Sequence, residues 1–162
     1  MKTLIAYYSR SGSTRKVAEA LSKALKCDTE EIIDTVNRTG ILGYLRSGYG
    51  AARKRLTVLE KQKHDQSSYD LVIAGTPVWA SNVSVPVRTY LAENRGRFKA
   101  IAFFCSAGGS AGKSFASMEE ICGLRPNGVL EVITKDMASG AYLQKVEEFG
   151  KAIKAHNRRK AR

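Results

Sequence analysis

The sequence predicts a single α/β domain, a three-layer α/β/α sandwich built on a five-stranded parallel sheet. Three observations predict it. Five short, β-rich apolar runs are spread along the 162 residues, helical periodicity separates them, and two of the runs are apolar throughout. Strands alternating with helices call for right-handed crossovers and helices on both faces of the sheet. Unbroken apolar strands are those covered on both faces, as inside a parallel sheet. A chain of this length buries about 68–70% of its unfolded surface, so its core needs no covalent staples.

The first run covers residues 3–8, and a helix over 14–25 follows, with Val17, Ala18, Leu21, Ala24 and Leu25 at helical spacing. The second run is 29–33. Residues 34–66 are more than a crossover needs, and they hold Gly40, Gly43, Gly48 and Gly50 with Tyr44 and Tyr49. A glycine-rich loop is expected there, followed by a helix over roughly 51–61. The third run, 71–75, leads to a helix over 83–94 with Val83, Val87, Tyr90 and Leu91 on one face. The fourth, 100–105, leads to a helix over 111–122 with Phe115, Met118 and Ile121. The fifth, 129–134, leads to a helix over 141–155 with Leu143, Val146, Phe149 and Ile153. From His156 onward there is charge and no apolar face, so residues 1–155 form the domain and 156–162 a basic, disordered tail.

Composition limits the function classes. No apolar run approaches the ~18 residues of a membrane span. The first residues do not read as a secretory leader, and a cytoplasmic location is expected. Cys27, Cys105 and Cys122 are far apart and form no C-x-x-C pair, so buried thiols are expected rather than a disulfide or a metal site. The net charge is +12. Basic residues gather in the tail and around Arg46, Arg53, Lys54, Arg55, Lys61 and Lys63, which favours acidic partners.

Three segments could hold a ligand. The run Ser9-Arg10-Ser11-Gly12-Ser13-Thr14 follows the first strand and opens a helix. Hydroxyls and a glycine let the backbone curl, and its N–H groups then face one spot at the positive end of the helix dipole. Such a turn is a phosphate cradle made of neutral groups; a plain helix N-cap is the alternative. The run Thr76-Pro77-Val78-Trp79-Ala80 follows the third strand, at the carboxyl edge of the sheet where α/β folds bind ligands. Trp79, the sole tryptophan, could stack there on a flat heterocycle. The run Ser106-Ala107-Gly108-Gly109 follows the fourth strand, and its glycines let the backbone lie close to a ligand edge.

These three loops resemble those of flavodoxins and the wider flavodoxin-like FMN proteins, in family order over nearly the whole chain. Y-S-R-S-G-S-T-R-K-V-A is similar to the family's phosphate loop, G-T-P-V-W to the loop over one ring face, and F-F-C-S-A-G-G to the loop on the pyrimidine side. The resemblance implies a flavodoxin-like sheet of order 2-1-3-4-5, with FMN at the switch point between strands one and three. It implies that Ser9, Ser11, Gly12, Ser13 and Thr14 hold the phosphate, with the backbone N–H of Arg10. Thr76, Pro77, Val78, Trp79 and Ala80 would belong to the isoalloxazine site, and Ser106, Ala107, Gly108 and Gly109 would meet the pyrimidine edge. Three departures stand out. The third loop supplies no second aromatic, leaving one ring face open or covered by Tyr44 or Tyr49. Ala80 stands where many carriers have glycine, and alanine resists positive φ. The chain is basic where carriers are usually acidic.

The implied function is electron transfer between redox partner proteins, as a monomer or homodimer. The alternative is an FMN-dependent quinone or flavin reductase whose substrate stacks on the open ring face. No residue reads as a general acid or base, since His64 and His156 sit in polar stretches, and no metal site is expected. Gly112-Lys113-Ser114 invites a P-loop reading, but G-x-x-x-x-G-K-[ST] needs glycine at Ala107. Nucleic-acid binding through the basic tail lacks the aromatic interleaving of known modules.

Overall fold

The computed structural model describes residues 1–160. Five strands form one parallel sheet: β1 (Thr3–Tyr7), β2 (Asp28–Glu31), β3 (Leu71–Trp79), β5 (Ile101–Ala107) and β6 (Val129–Ile133). A two-residue strand, β4 (Asn82–Val83), pairs antiparallel with the end of β3. The sheet order is β2-β1-β3-β5-β6. With β4 set aside, this is the expected order 2-1-3-4-5.

Successive side chains of a strand face opposite ways, so each strand feeds two cores. Leu4 and Ala6 pack with Val72, Phe103, Tyr90 and Met118 under α3 (Val85–Glu93) and α4 (Ser114–Cys122). Ile5 and Tyr7 pack with Ile73, Phe104, Leu21 and Ile153 under α1 (Ser13–Leu25) and α6 (Tyr142–Lys160). Both faces are covered, which explains the unbroken apolar runs. Cys105 and Cys122 are buried as expected, whereas Cys27 is half-buried; all three are free thiols. No helix among the described residues is long and apolar enough to cross a membrane.

Four expectations need correction. First, Gly40–Ala52 is a helix, α2, where a glycine-rich loop was expected, and no helix covers residues 51–61. Beyond Arg53 the chain runs extended, bridging Asp34 to Leu59, with Glu60 N–H donating to Ile33 O at 2.9 Å. Two of the α2 glycines serve close packing rather than a loop. A Cβ on Gly43 would lie 2.2 Å from the carbonyl carbon of Arg38, and one on Gly50 would lie 3.0 Å from Val85 Cγ2. Second, the third strand runs on to Trp79 instead of stopping at 75. Third, α5 (Thr134–Ser139) begins directly at the end of β6. It buries no side chain, so it carries no apolar periodicity to read. Fourth, α6 continues through Lys160, so the tail expected to be disordered from His156 is helical to that point. A helix anchored by the buried Phe149 and Ile153 extends cheaply, because each further residue adds a hydrogen bond. The last two tail residues lie outside the described residues.

Candidate functional site

The carboxyl ends of β1, β3, β5 and β6 border a cleft of about 310 Å³. Arg10, Ser11 and Ser13 line it from the turn after β1, and Pro77, Val78 and Trp79 from the end of β3. Ser106, Ala107 and Gly108 line it from β5 and the turn beyond. The structure thus brings all three sequence-identified segments to one place.

The first turn is held from within. Ser9 Oγ accepts the Gly12 N–H at 3.1 Å and the Arg15 N–H at 3.3 Å. Gly12 has φ 98°, a conformation that favours glycine. Ser9 and Gly12 therefore shape the turn and do not themselves line the cleft. The backbone N–H groups of Arg10, Ser11, Ser13 and Thr14 find no acceptor among the described residues, nor do the hydroxyls of Ser11 and Ser13. The Thr14 side chain points into the protein, where its hydroxyl shares a 2.7 Å hydrogen bond with that of Ser106. That bond locks the first turn to β5.

Trp79 is a strand residue, 8% exposed, rather than a free loop indole. Tyr8 meets it edge-on, with ring centroids 5.5 Å apart and planes at 87°. The Arg38 guanidinium lies 5.5 Å from the indole centroid. Trp79 still borders the cleft, and it also borders a second cavity of about 280 Å³ with Tyr44, Leu45, Tyr49 and Ala80. Ala80 lines only that second cavity. Thr76 is fully buried and lines neither. Its Oγ1 accepts the Ser84 N–H at 3.0 Å and lies 2.8 Å from Pro77 O, which knots β3 to the start of α3.

Ala80 was expected to resist positive φ, yet it has φ 48° and Ser81 has φ 57°. These are the two central residues of the β3–β4 hairpin, whose tight primed turn demands positive φ at both. The tip is clamped from outside. Lys113 N–H donates to Ser81 O at 2.7 Å, and a Cβ on Gly112 would lie 2.5 Å from that oxygen. Gly112 of the G-K-S run is thus a packing glycine, which accounts for the run without a nucleotide.

Gly108 and Gly109 are exposed, and a Cβ on either would meet nothing within 4 Å. The protein itself does not require glycine there, so the space above them is free for a ligand edge. Gly109 does not border the cleft as it stands. Val132, Thr134 and Met137, from β6 and α5, border it as well, although no ligand motif marks them in the sequence. In a parallel sheet every carboxyl end reaches the same edge, and that rule could have found them. Asp136 fixes α5 by accepting the Ile133 N–H at 2.9 Å and Lys145 Nζ at 2.6 Å. Tyr44 reaches the cleft from α2, as the open-face argument allowed.

The lining is nearly neutral. Among the described residues Arg10 is its single charged side chain, set 5.2 Å from the Tyr44 ring centroid. No Asp, Glu, His, Lys or Cys among the described residues lines the cleft. Behind it, burial pushes the Cys105 thiol up to about 12, with Glu131 adding to the rise, so that thiol stays protonated. Burial likewise raises Tyr8, with Asp34 next in effect. Among the described residues no cluster of His, Cys, Asp and Glu could hold a metal ion.

With this geometry in view, similarity becomes informative. The flavodoxin family model matches residues 2–132. A flavoprotein from Lactobacillus acidophilus, solved in complex with FMN, is 26% identical, with TM-score 0.68 over 85% of this chain and 97% of that one. A putative flavoprotein from Bacteroides eggerthii is 24% identical, with TM-score 0.70 over 90% and 97%. A WrbA-like flavodoxin from Agrobacterium tumefaciens is 14% identical, with TM-score 0.59 over 97% and 98%, a likeness of fold. No curated protein matches.

Proposed function

The chain belongs to the flavodoxin family, and from that premise we propose that it binds FMN in this cleft and carries electrons between protein partners. The observation that carries the proposal is the set of N–H groups at Arg10, Ser11, Ser13 and Thr14, unpartnered among the described residues, at the start of α1. Amides freed by a glycine turn at a helix N-terminus suit a phosphate. The residues present fit the rest of the group. Ser11 and Ser13 add hydroxyl donors, Pro77, Val78 and Trp79 give an apolar wall, and Gly108 leaves room for a ring edge. The Lactobacillus relative was solved with FMN, which supports the same ligand here.

When bound, FMN supplies one- or two-electron redox chemistry. The protein places it and sets its surroundings. Trp79, braced by Tyr8 and Arg38, gives the ring a rigid wall. Arg10 puts a positive charge at the cleft, which favours the anionic reduced form and makes a weaker reductant. The absence of an acid or base in the lining supports carriage over proton-coupled turnover of a small substrate. The overall charge of +12 supports acidic redox partners.

Two observations favour the reductase reading: no aromatic comes from the third loop, and a second cavity shares Tyr44, Val78 and Trp79 with the cleft. The deciding experiment is an anaerobic coulometric titration of the FMN-loaded protein with an acceptor assay beside it. Two separated one-electron steps with slow quinone reduction are expected of a carrier. A single two-electron step with rapid quinone turnover overturns that reading. Failure to take up FMN at all overturns the site.

A further inference from the structure

A third cavity, of about 120 Å³, is bordered by Tyr49 and by Arg38, the neighbour of Trp79. Three arginines line it: Arg38, Arg46 and Arg55. They come from three places, namely the segment before α2, α2 itself, and the segment after it. No acidic side chain among the described residues lines the cavity. The carboxylate paired with Arg38, Asp34, already accepts three hydrogen bonds. Its Oδ1 accepts Val36 N–H at 3.0 Å and Thr57 Oγ1 at 2.7 Å, and its Oδ2 accepts Arg38 Nε at 2.5 Å.

This leaves donors without acceptors. Arg38 and Asp34 are buried, with side chains 6% and 2% exposed, and Arg38 spends only Nε on the pair. Its two terminal amino groups have no acceptor among the described residues, and neither Arg46 nor Arg55 has an acidic partner among them. Arg55 instead lies 5.0 Å from the Tyr49 ring centroid. Three guanidinium charges less one carboxylate charge leave about +2 at the cavity. A buried guanidinium that spends one nitrogen on a carboxylate, in a group of three arginines lining one cavity, is an arrangement suited to a bidentate oxyanion.

We infer that this cavity is a binding site for a phosphate monoester group, separate from the turn at residues 9–14. The charge decides the class. A monoester carries about −1.5 to −2 at pH 7, which matches the site, whereas a carboxylate would leave it half neutralised. The size decides how much enters: the phosphate group itself and not the molecule that bears it. The cavity shares Tyr49 with the apolar second cavity, which shares Tyr44, Val78 and Trp79 with the cleft. A ligand whose phosphate sits among the arginines can therefore extend its apolar body toward the redox site. The site is drawn from residues outside the cleft, so it does not depend on the flavin reading.

The test is calorimetric titration of FMN-saturated protein, in phosphate-free buffer, with inorganic phosphate and with adenosine 2′-monophosphate; plain adenosine is the control. Saturation with FMN keeps the first turn out of play, and if FMN does not load, the Gly12→Val variant serves instead. One site per chain is expected for both phosphates and none for adenosine at about 1 mM. The double variant Arg46→Gln/Arg55→Gln should weaken both phosphates by about tenfold or more, as expected for lost charge-assisted bonds. Both side chains are exposed, so the variant should fold. The control variant Lys54→Gln/Lys61→Gln removes the same charge from positions outside the cavity and should leave affinity within about twofold. No binding by wild type, or equal loss in the two double variants, would overturn the inference.

Discussion

At the scale of single residues, two positions decide whether the cleft can work. Trp79 is both wall and core. Tyr8 packs against it at nearly a right angle, and the Arg38 guanidinium lies 5.5 Å from its ring centroid. Replacing it by alanine should cost about 3–5 kcal/mol of stability, the usual penalty for truncating a buried Trp. The same variant should lose about tenfold in FMN affinity, since stacking on an aromatic contributes ~1–3 kcal/mol. Denaturant melts and flavin titration measure the two effects; unchanged affinity with reduced stability would leave Trp79 a core residue only. Gly12 acts through conformation. A Cβ there meets nothing within 4 Å, but φ is 98°. Gly12→Val should therefore open the turn, because a β-branched residue is strained at positive φ by at least ~1–2 kcal/mol. FMN loading should be lost while the fold persists, and absorbance of the purified variant at flavin wavelengths reports it.

At the scale of elements, α2 carries the lesson. Its four glycines read as a loop, yet they lie in a helix, and two of them sit where a neighbour, Arg38 or Val85, leaves little room for a Cβ. Gly43 and Gly48 differ only in what surrounds them. A Cβ at Gly43 strikes the Arg38 backbone, and one at Gly48 meets open space. Gly43→Ala should destabilise the protein by about 2–3 kcal/mol, in the range for overpacking. Gly48→Ala should stabilise it by about 0.5–1 kcal/mol through helix propensity. Thermal melts of the pair check both signs. The Gly43 variant should also shift Arg38 and so disturb the arginine-lined cavity. The β3–β4 hairpin teaches the same lesson from the other side. Ala80 accepts positive φ because Lys113 N–H and Gly112 hold the tip in place.

At the scale of the whole molecule, charge and exposed apolar surface set the behaviour. Ile41, Leu42, Tyr44, Leu45 and Tyr49 are exposed along α2, beside the cleft and among the arginines. Acid should unfold the protein through its few well-placed carboxylates. The Ser67 hydroxyl and N–H hold Asp65 below its ordinary value, the Ile133 N–H and Lys145 do so for Asp136, and Lys151 for Glu147. A carboxylate depressed in the folded state stabilises above the unfolded value and loses that contribution as pH falls through the folded one. The loss thus begins below about pH 4. Protonation also adds to a charge already at +12, so salt should raise the acid midpoint temperature. Melts from pH 7 to pH 2.5 at two ionic strengths check this; a midpoint that rises on acidification would contradict it.

The periodicities of 2 and 3.6, the loop chemistry after each strand and the net charge were legible in the chain itself. They determined the layered α/β architecture, the order of strands through the resemblance, and the segments Ser9–Thr14, Thr76–Ala80 and Ser106–Gly109 as the site's raw material. Those are local properties, set by which residues stand next to one another. What the tertiary structure alone decided is how space is shared between distant segments. It turned two glycines of α2 into packing contacts, made Thr76 a buried knot, brought Met137 and Tyr44 to the cleft, and gathered Arg38, Arg46 and Arg55 around one cavity. Steric exclusion and the pairing of charges act between atoms that are near in space, and no spacing along the chain encodes which atoms those will be.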